Sequence, residues 1–139
     1  MLSGGRLLVL NASDPSEFEA AFATLVHERA GGLVESGEAL FLNHSDLLVA
    51  LAARYSVPVM YGDRRQTAAG GLMSYGTDRP DAYRQVGFYA GRILKGEKPA
   101  NLPVQLVTKM QLVINMGTAK ALGLTFPITL LGRADEVIQ

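Results

Sequence analysis

Carboxylates, tyrosines and small polar residues recur in this chain where short apolar runs stop. Asn11 to Ser13, Ser36 to Glu38, Tyr61 to Asp63 and Ser74 to Gly76 each follow such a run. Together these four segments can grip a small polar or zwitterionic molecule. A carboxylate faces an ammonium, tyrosine rings wall an apolar part, and glycines let the ligand approach the backbone. The candidate ligand-binding residues are Ser36, Gly37, Glu38, Tyr61, Asp63, Ser74 and Tyr75. They do not form a catalytic set: Ser13, Ser36 and Ser74 have no neighbouring histidine to act as base, so no enzyme activity is expected. Nor does a glycine-rich nucleotide fingerprint follow the first apolar run. Lys95-Gly-Glu-Lys98 ends a helix, where a phosphate loop would begin one. His27 and His44 are isolated from each other and from carboxylate pairs at ligand spacing, so neither a metal nor a cofactor is expected.

Each of these residues also has an ordinary structural reading. Asp14 fits a helix cap, and Asp63 fits a turn after a strand. Glu38 suits the start of a helix, where the macrodipole favours an acid. Tyr61 and Tyr75 can equally be packing residues, and Ser74-Tyr-Gly76 is weak as a motif by itself.

Alternating strand and helix signals must position these groups. Leu7 to Leu10 reads as a first short strand. Asp14, Pro15 and Glu17 mark a helix start, and Phe18, Ala21, Phe22, Leu25 and Val26 follow at helical spacing up to Gly31-Gly32. Leu33-Val34 is a second strand, Ala39 to Tyr55 a second helix, and Val57 to Tyr61 a third strand, with Pro58 near its start. Arg64 to Ala69 makes one or two helical turns before a fourth strand, Leu72 to Tyr75. A helix closed by Lys95-Gly96 then carries Tyr83, Val86, Ala90, Ile93 and Leu94 on one face. Pro99 and Pro103 bracket a linker, Gln105 to Val107 is extended, and Gln111 to Ile114 is a further strand. Asn115 caps a helix over Thr118 to Leu122, Pro127 to Arg133 adds a turn, and Glu136 to Ile138 forms a last strand. Such alternation argues for an α/β fold, an open and mainly parallel sheet with helices on both faces.

Composition narrows the function classes. The 139 residues suffice for one domain with a real core. Thirteen basic residues balance thirteen acidic ones, which disfavours nucleic-acid and anionic-membrane partners. The absence of cysteine excludes a disulfide framework and a thiol nucleophile. No apolar stretch approaches the ~20 residues needed to span a bilayer. The N-terminus lacks the layout of a signal peptide, so with Met1 as the true start the chain is expected in the cytoplasm.

The run Gly70-Gly-Leu-Met-Ser-Tyr-Gly76, the helix Asp81 to Gly87, the sequence Arg92-Ile-Leu-Lys-Gly-Glu-Lys-Pro99, and Leu112 to Asn115 through Thr118 to Leu124 form several long motifs in one order. With Arg133 to Ile138 they resemble the ABC-transporter substrate-binding proteins related to tryptophan and tyrosine binders, over nearly the whole chain from Leu7. The resemblance implies a type I periplasmic binding architecture, in which two α/β lobes close on a small ligand and dock on a membrane permease. It also implies a periplasmic location. The chain matches only the second half of such a protein, so residues 1–139 are read as one lobe, the C-terminal one, with 75–98 as the segment that crosses between lobes. Carried over by position, Ser36 to Glu38, Tyr61 to Asp63 and Ser74 to Gly76 fall on cleft-facing loops. Amino-acid-binding relatives tend to carry an Asp-Asn pair at the first of these loops, where this chain has Ser-Gly-Glu.

An apolar helix face without a partner lobe favours association, because each large side chain left bare forgoes roughly 1.5 to 3 kcal/mol of burial. A homodimer through the 79–96 helix is expected, with exchange of the Tyr75 to Gly96 segment as one form of it. Three functions follow. The first is a solute-binding component, or a fragment of one, that binds a small polar or amino-acid-like ligand without chemistry. The second is an orphan lobe acting as a dimeric regulatory or assembly module. The third is a receiver-like or flavodoxin-like switch built on Asp63 and Lys109, ranked last because no acidic pair follows the first strand.

Overall fold

The computed structural model describes residues 4–106 and 109–139. Five strands form one sheet in the order β1 to β5: Leu33–Val34, Val59–Tyr61, Met73–Thr77, Met110–Asn115 and Glu136–Ile138. Three of the four pairings are parallel, and β3 with β4 is antiparallel. The seven α-helices among the described residues are α1 Phe18–His27, α2 Ala39–Asn43, α3 Ser45–Arg54, α4 Arg64–Ala68, α5 Arg79–Leu94, α6 Met116–Ala121 and α7 Ile128–Leu131. The expected α/β class, an open and mainly parallel sheet with helices packed on it, is the observed one.

The entry to α1 follows from local chemistry. Asp14 accepts from the Ser16 N–H at 2.9 Å and Glu17 reaches back to the Asp14 N–H, closing a capping box over the 3-10 turn Pro15–Glu17. Phe18, Phe22 and Leu25 recur on one face and bury completely. They meet Leu48 and Leu51 of α3 and Val59 and Tyr61 of β2, and this cluster is the core. The helix stops at His27, short of the expected Gly31-Gly32, because Arg29 turns left-handed at φ 55 and the Ala30 N–H returns to the Leu25 carbonyl.

Three other expectations are corrected. Leu7 to Leu10 joins no ladder; Leu8 and Leu10 pack on the core while Leu7 and Val9 face solvent, so the alternation of a strand is present without its pairing. The single helix expected over Ala39 to Tyr55 breaks at His44, whose φ and ψ of −117 and 32 are not helical. There the Ser45 hydroxyl donates to the Leu42 carbonyl at 2.6 Å, closing the local turn in place of a continuous helix. Pro127 to Arg133, read as a turn, contains the short helix α7. Of the expected extended segment Gln105 to Val107, Val107 lies outside the described residues.

The antiparallel pair has a consequence for chain path. Thr77 and Met110 are partners across β3 and β4, and the Asp78 N–H donates to the Lys109 carbonyl at 3.0 Å. The chain leaves the sheet at Asp78 and rejoins it beside its point of departure. Helix α5, which lies in this excursion, buries none of its residues. Tyr83, Val86, Phe88, Ile93 and Leu94 on it are exposed. The Tyr89 hydroxyl on it donates to the Pro103 carbonyl at 2.7 Å.

Candidate ligand cleft at the strand ends

The carboxyl ends of β1, β2 and β3 lie side by side, where open α/β sheets place their ligands. The three loops leaving them meet backbone to backbone. Gly37 adopts φ +77, a conformation that favours glycine. A methyl group on Gly62 would lie 2.5 Å from the Gly37 Cα, and one on Gly76 would lie 1.9 Å from the Gly62 carbonyl oxygen. No side chain larger than hydrogen fits at either contact, so the loops form one continuous floor.

Glu35 joins two of these loops. Its Oε1 accepts from the Gly37 N–H at 2.6 Å and its Oε2 from the Gly62 N–H at 3.0 Å. The residue is only 8% exposed. Each carboxylate oxygen thus satisfies a backbone donor that would otherwise lack a partner at a tight turn. The sequence reading passed over Glu35. The signal that could have found it is an acid placed directly at a strand end, two residues before a glycine.

Above this floor is an open cavity of about 590 Å³, bounded by Ser36, Tyr75, Thr77, Arg79, Tyr83 and Met110 together with the loops already named. Tyr75 is 51% and Tyr83 70% exposed. Arg79 enters the wall because α5 begins directly after β3. Asp78 caps that helix by accepting from the Asp81 N–H at 3.1 Å and is held from behind by Lys109 Nζ at 3.1 Å. The bond from the Asp81 backbone, followed by the bond from Lys109, keeps the Asp78 carboxyl below its usual range.

Of the residues expected at a site, the structure brings Ser36, Gly37 and Tyr75 together in this cavity. Ser74 points to the opposite face of the sheet from Tyr75, as alternation along a strand requires, and is 1% exposed. Tyr61 is 2% exposed within the core cluster. Burial first, and the nearby Glu35 charge second, push its phenol up. Glu38 is exposed at the start of α2 and, with Asn11 to Ser13, borders a different cavity of about 670 Å³ between α1 and the 7–13 segment. That second cavity is walled largely by leucines and phenylalanines, with Asn11, Ser13, Glu17, Glu35, Ser36 and Glu38 also on its lining. The strand-end cleft is taken as the candidate because three glycine-bearing loops meet there at the carboxyl ends of adjacent parallel strands.

Asp63 lies behind the cleft and is 6% exposed. It caps α4 by accepting from the Arg65 N–H at 2.9 Å, and its Oδ1 takes the Arg65 Nε at 3.0 Å. Its Oδ2 meets the Arg79 Nε at 2.5 Å. Burial by itself raises the Asp63 carboxyl, but the bonds and charge of Arg65, with the bond from Arg79, outweigh it and hold the carboxyl low. Asp63 is engaged by two arginines and Lys109 by Asp78, which leaves the receiver-like pairing of Asp63 with Lys109 without structural support. His27 is a surface neighbour of Glu28, and His44 sits edge-on to Phe18. Among the described residues, no cluster of three or more metal-ligating side chains occurs.

Fold and cleft together are an α/β sheet with an open cavity at its strand ends. The chain belongs to the ABC transporter substrate binding protein family, whose profile matches residues 6–138. No curated protein sequence matches it. Among solved structures it is similar to a conserved domain protein from Vibrio cholerae, at 24% identity and a TM-score of 0.78, covering 92% of this chain and 43% of that one. An ABC domain from Streptococcus pneumoniae in complex with L-Trp gives 24% identity and a TM-score of 0.78, over 91% and 44%. The ligand-free, open form of a substrate-binding protein with adhesive properties from Clostridium difficile gives 20% and 0.63, over 92% and 42%. These likenesses establish the fold. The chain spans less than half the length of each of the three structures.

Proposed function

We propose that this chain is the ligand-gripping lobe of the solute-binding component of an ABC transporter, and that it binds a small amino-acid-like or polar ligand without chemistry. The observation that carries this reading is the cleft of about 590 Å³, floored by three glycine-bearing strand-end loops and walled by Tyr75, Thr77, Arg79 and Tyr83. Membership of the family and the L-Trp bound to one structural relative support the ligand class. Ser36, Gly37 and Tyr75 contact the ligand in this reading, joined by Arg79 and Tyr83. Glu35 and Asp63 act from beneath by fixing the loops, Tyr61 and Ser74 lie buried below them, and Glu38 borders the neighbouring cavity instead.

The α5 excursion is the segment that crosses to a second lobe, and that lobe supplies the other half of the ligand contacts. A membrane permease is the downstream partner and the periplasm the site of action. No helix among the described residues is long and apolar enough to cross a membrane. An amide chemical-shift titration of the 139-residue chain with amino acids and small organic acids tests the reading. Shifts at Gly37, Gly62 and Gly76 support it, and silence across the whole panel overturns it.

A second reading rests on α5. With Tyr83, Val86, Phe88 and Ile93 bare, the 139-residue chain by itself associates as a homodimer through this helix. A regulatory or assembly role would then require the cleft to be covered in the dimer, so that the glycine amides above stay unresponsive to every ligand while the chain sediments as a dimer.

A further inference from the structure

The open edge of the sheet faces a second unpaired run of backbone. Strand β1 pairs with β2 alone. The Leu33 and Glu35 N–H groups donate to the Pro58 and Met60 carbonyls at 2.8 and 2.9 Å. The Val34 N–H between them therefore points away from β2, to the open edge. Among the described residues, the backbone of 7–12 exchanges no hydrogen bond with any other backbone group. Between the two runs lies the cavity of about 670 Å³, bounded by 7–13 on one side, by 33–36 on the other and by Phe18, Phe22 and Leu25 of α1. The path from 7–10 through α1 to β1 is a strand, helix, strand crossover, which lays two runs parallel without requiring them to be neighbours.

Backbone donors and acceptors beside a core need partners, and an open edge is a template for another strand. A strand residue occupies roughly 160 Å³, from its rise, its distance to the next strand and the thickness of a layer, so a cavity of about 670 Å³ admits about four. The surroundings are apolar on both faces of the sheet. Leu8, Leu10 and Leu33 pack on the core from one face. Leu7, Val9 and Val34, which alternate with them, are exposed on the other. A strand that fits here is apolar at successive positions, not at every second one. Less than half of each similar structure is matched by this chain, and the remainder of that architecture is a source of strands outside residues 1–139. We propose that the space between 7–12 and β1 receives one apolar β-strand of about four residues from a polypeptide segment outside residues 1–139, pairing with both edges at once.

The test follows hydrogen exchange at the Val34 amide in the whole 139-residue chain, labelled with ¹⁵N. Three peptides serve as probes at up to millimolar concentration. The first is acetyl-Lys-Val-Ile-Val-Leu-Lys-amide. The second is the same peptide N-methylated at its Ile and the Val after it, which removes one donor toward each edge. The third, acetyl-Lys-Val-Ser-Val-Ser-Lys-amide, is apolar on one face only. The first peptide is expected to slow Val34 exchange about 10-fold or more, the scale of one retained hydrogen bond, and the other two to leave it unchanged. Val9→Glu, at an exposed position on the cavity wall, keeps the fold and abolishes the response. Slow Val34 exchange in the chain without peptide, at every chain concentration, shows that the edge is already paired and overturns the proposal. Protection that grows with chain concentration assigns the space to a second copy and overturns the outside source. No response to the first peptide, or an equal response to the N-methylated one, overturns strand insertion. An equal response to the serine peptide overturns the apolar fit on both faces, and a response that survives Val9→Glu overturns the location.

Discussion

Gly76 sits so close to Gly62 that a methyl group on the former would lie 1.9 Å from the carbonyl oxygen of the latter. The obstacle is main chain, which cannot step aside as a side-chain tip can. Gly76→Ala is expected to destabilise the fold by about 3 kcal/mol, at the upper end of the cost of overpacking. Urea unfolding measures it. A loss under about 0.5 kcal/mol would show that the two loops do not touch.

Glu35 secures the same floor from below. Glu35→Ala leaves the Gly37 and Gly62 N–H groups without their acceptors, at a cost of about 2 to 4 kcal/mol for the pair. Glu35→Gln keeps one carbonyl acceptor and should cost about half as much. Equal stability of the two variants in a denaturant series would contradict the bridging role.

The pH dependence of stability carries a signature of Asp63. Its carboxyl is lowered in the folded state, so it stabilises the fold above its unfolded pKa of about 3.9. That contribution disappears as pH falls through the still lower folded value. Asn at this position can still cap α4, so Asp63→Asn removes the charge and keeps the cap. The stability gap between parent and variant should be constant near neutrality and shrink below about pH 4. The lowered carboxyls of Asp14, Glu17, Glu28 and Asp78 titrate in both proteins and cancel in the difference. A gap that widens in acid would refute the assignment.

Self-association is expected to run through α5. Sedimentation velocity at tens of micromolar should find the chain dimeric, and the double change Val86→Glu with Ile93→Glu should return it to monomer without loss of helix content, since both positions face solvent. A monomeric parent chain would remove the prediction.

Much of the fold was legible in the residues because the signals are local. The capping box at Asp14, the Phe18, Phe22, Leu25 spacing, the Asn115 cap of α6 and the strand at Glu136 to Ile138 each depend on neighbours a few positions away. The departures also have local causes, at His44 and Arg29, where backbone angles interrupt a favourable apolar period. Leu7 to Leu10 shows the limit of pattern reading, because alternation specifies which side chains face the core and says nothing about whether an edge is paired.

The candidate site was legible only in outline. Strand ends could be located from where apolar runs stop, and Ser36, Gly37 and Tyr75 line the cavity there. Whether a given residue at a strand end looks into the cleft or beneath it depends on strand alternation and on what covers the other face. Ser74 and Tyr75 are adjacent in sequence and lie on opposite sides for that reason. The groups of greatest consequence are joined across long separations: Glu35 to Gly62, and Asp63 to Arg79. Sequence by itself determined the α/β class, the order of elements and the family likeness, all of which rest on short-range periodicity and contiguous motifs. Tertiary structure alone decided that Glu35 bridges two loops and that Arg79 pairs with Asp63 beside the cavity, because hydrogen-bond partners and burial are properties of which loops meet in space.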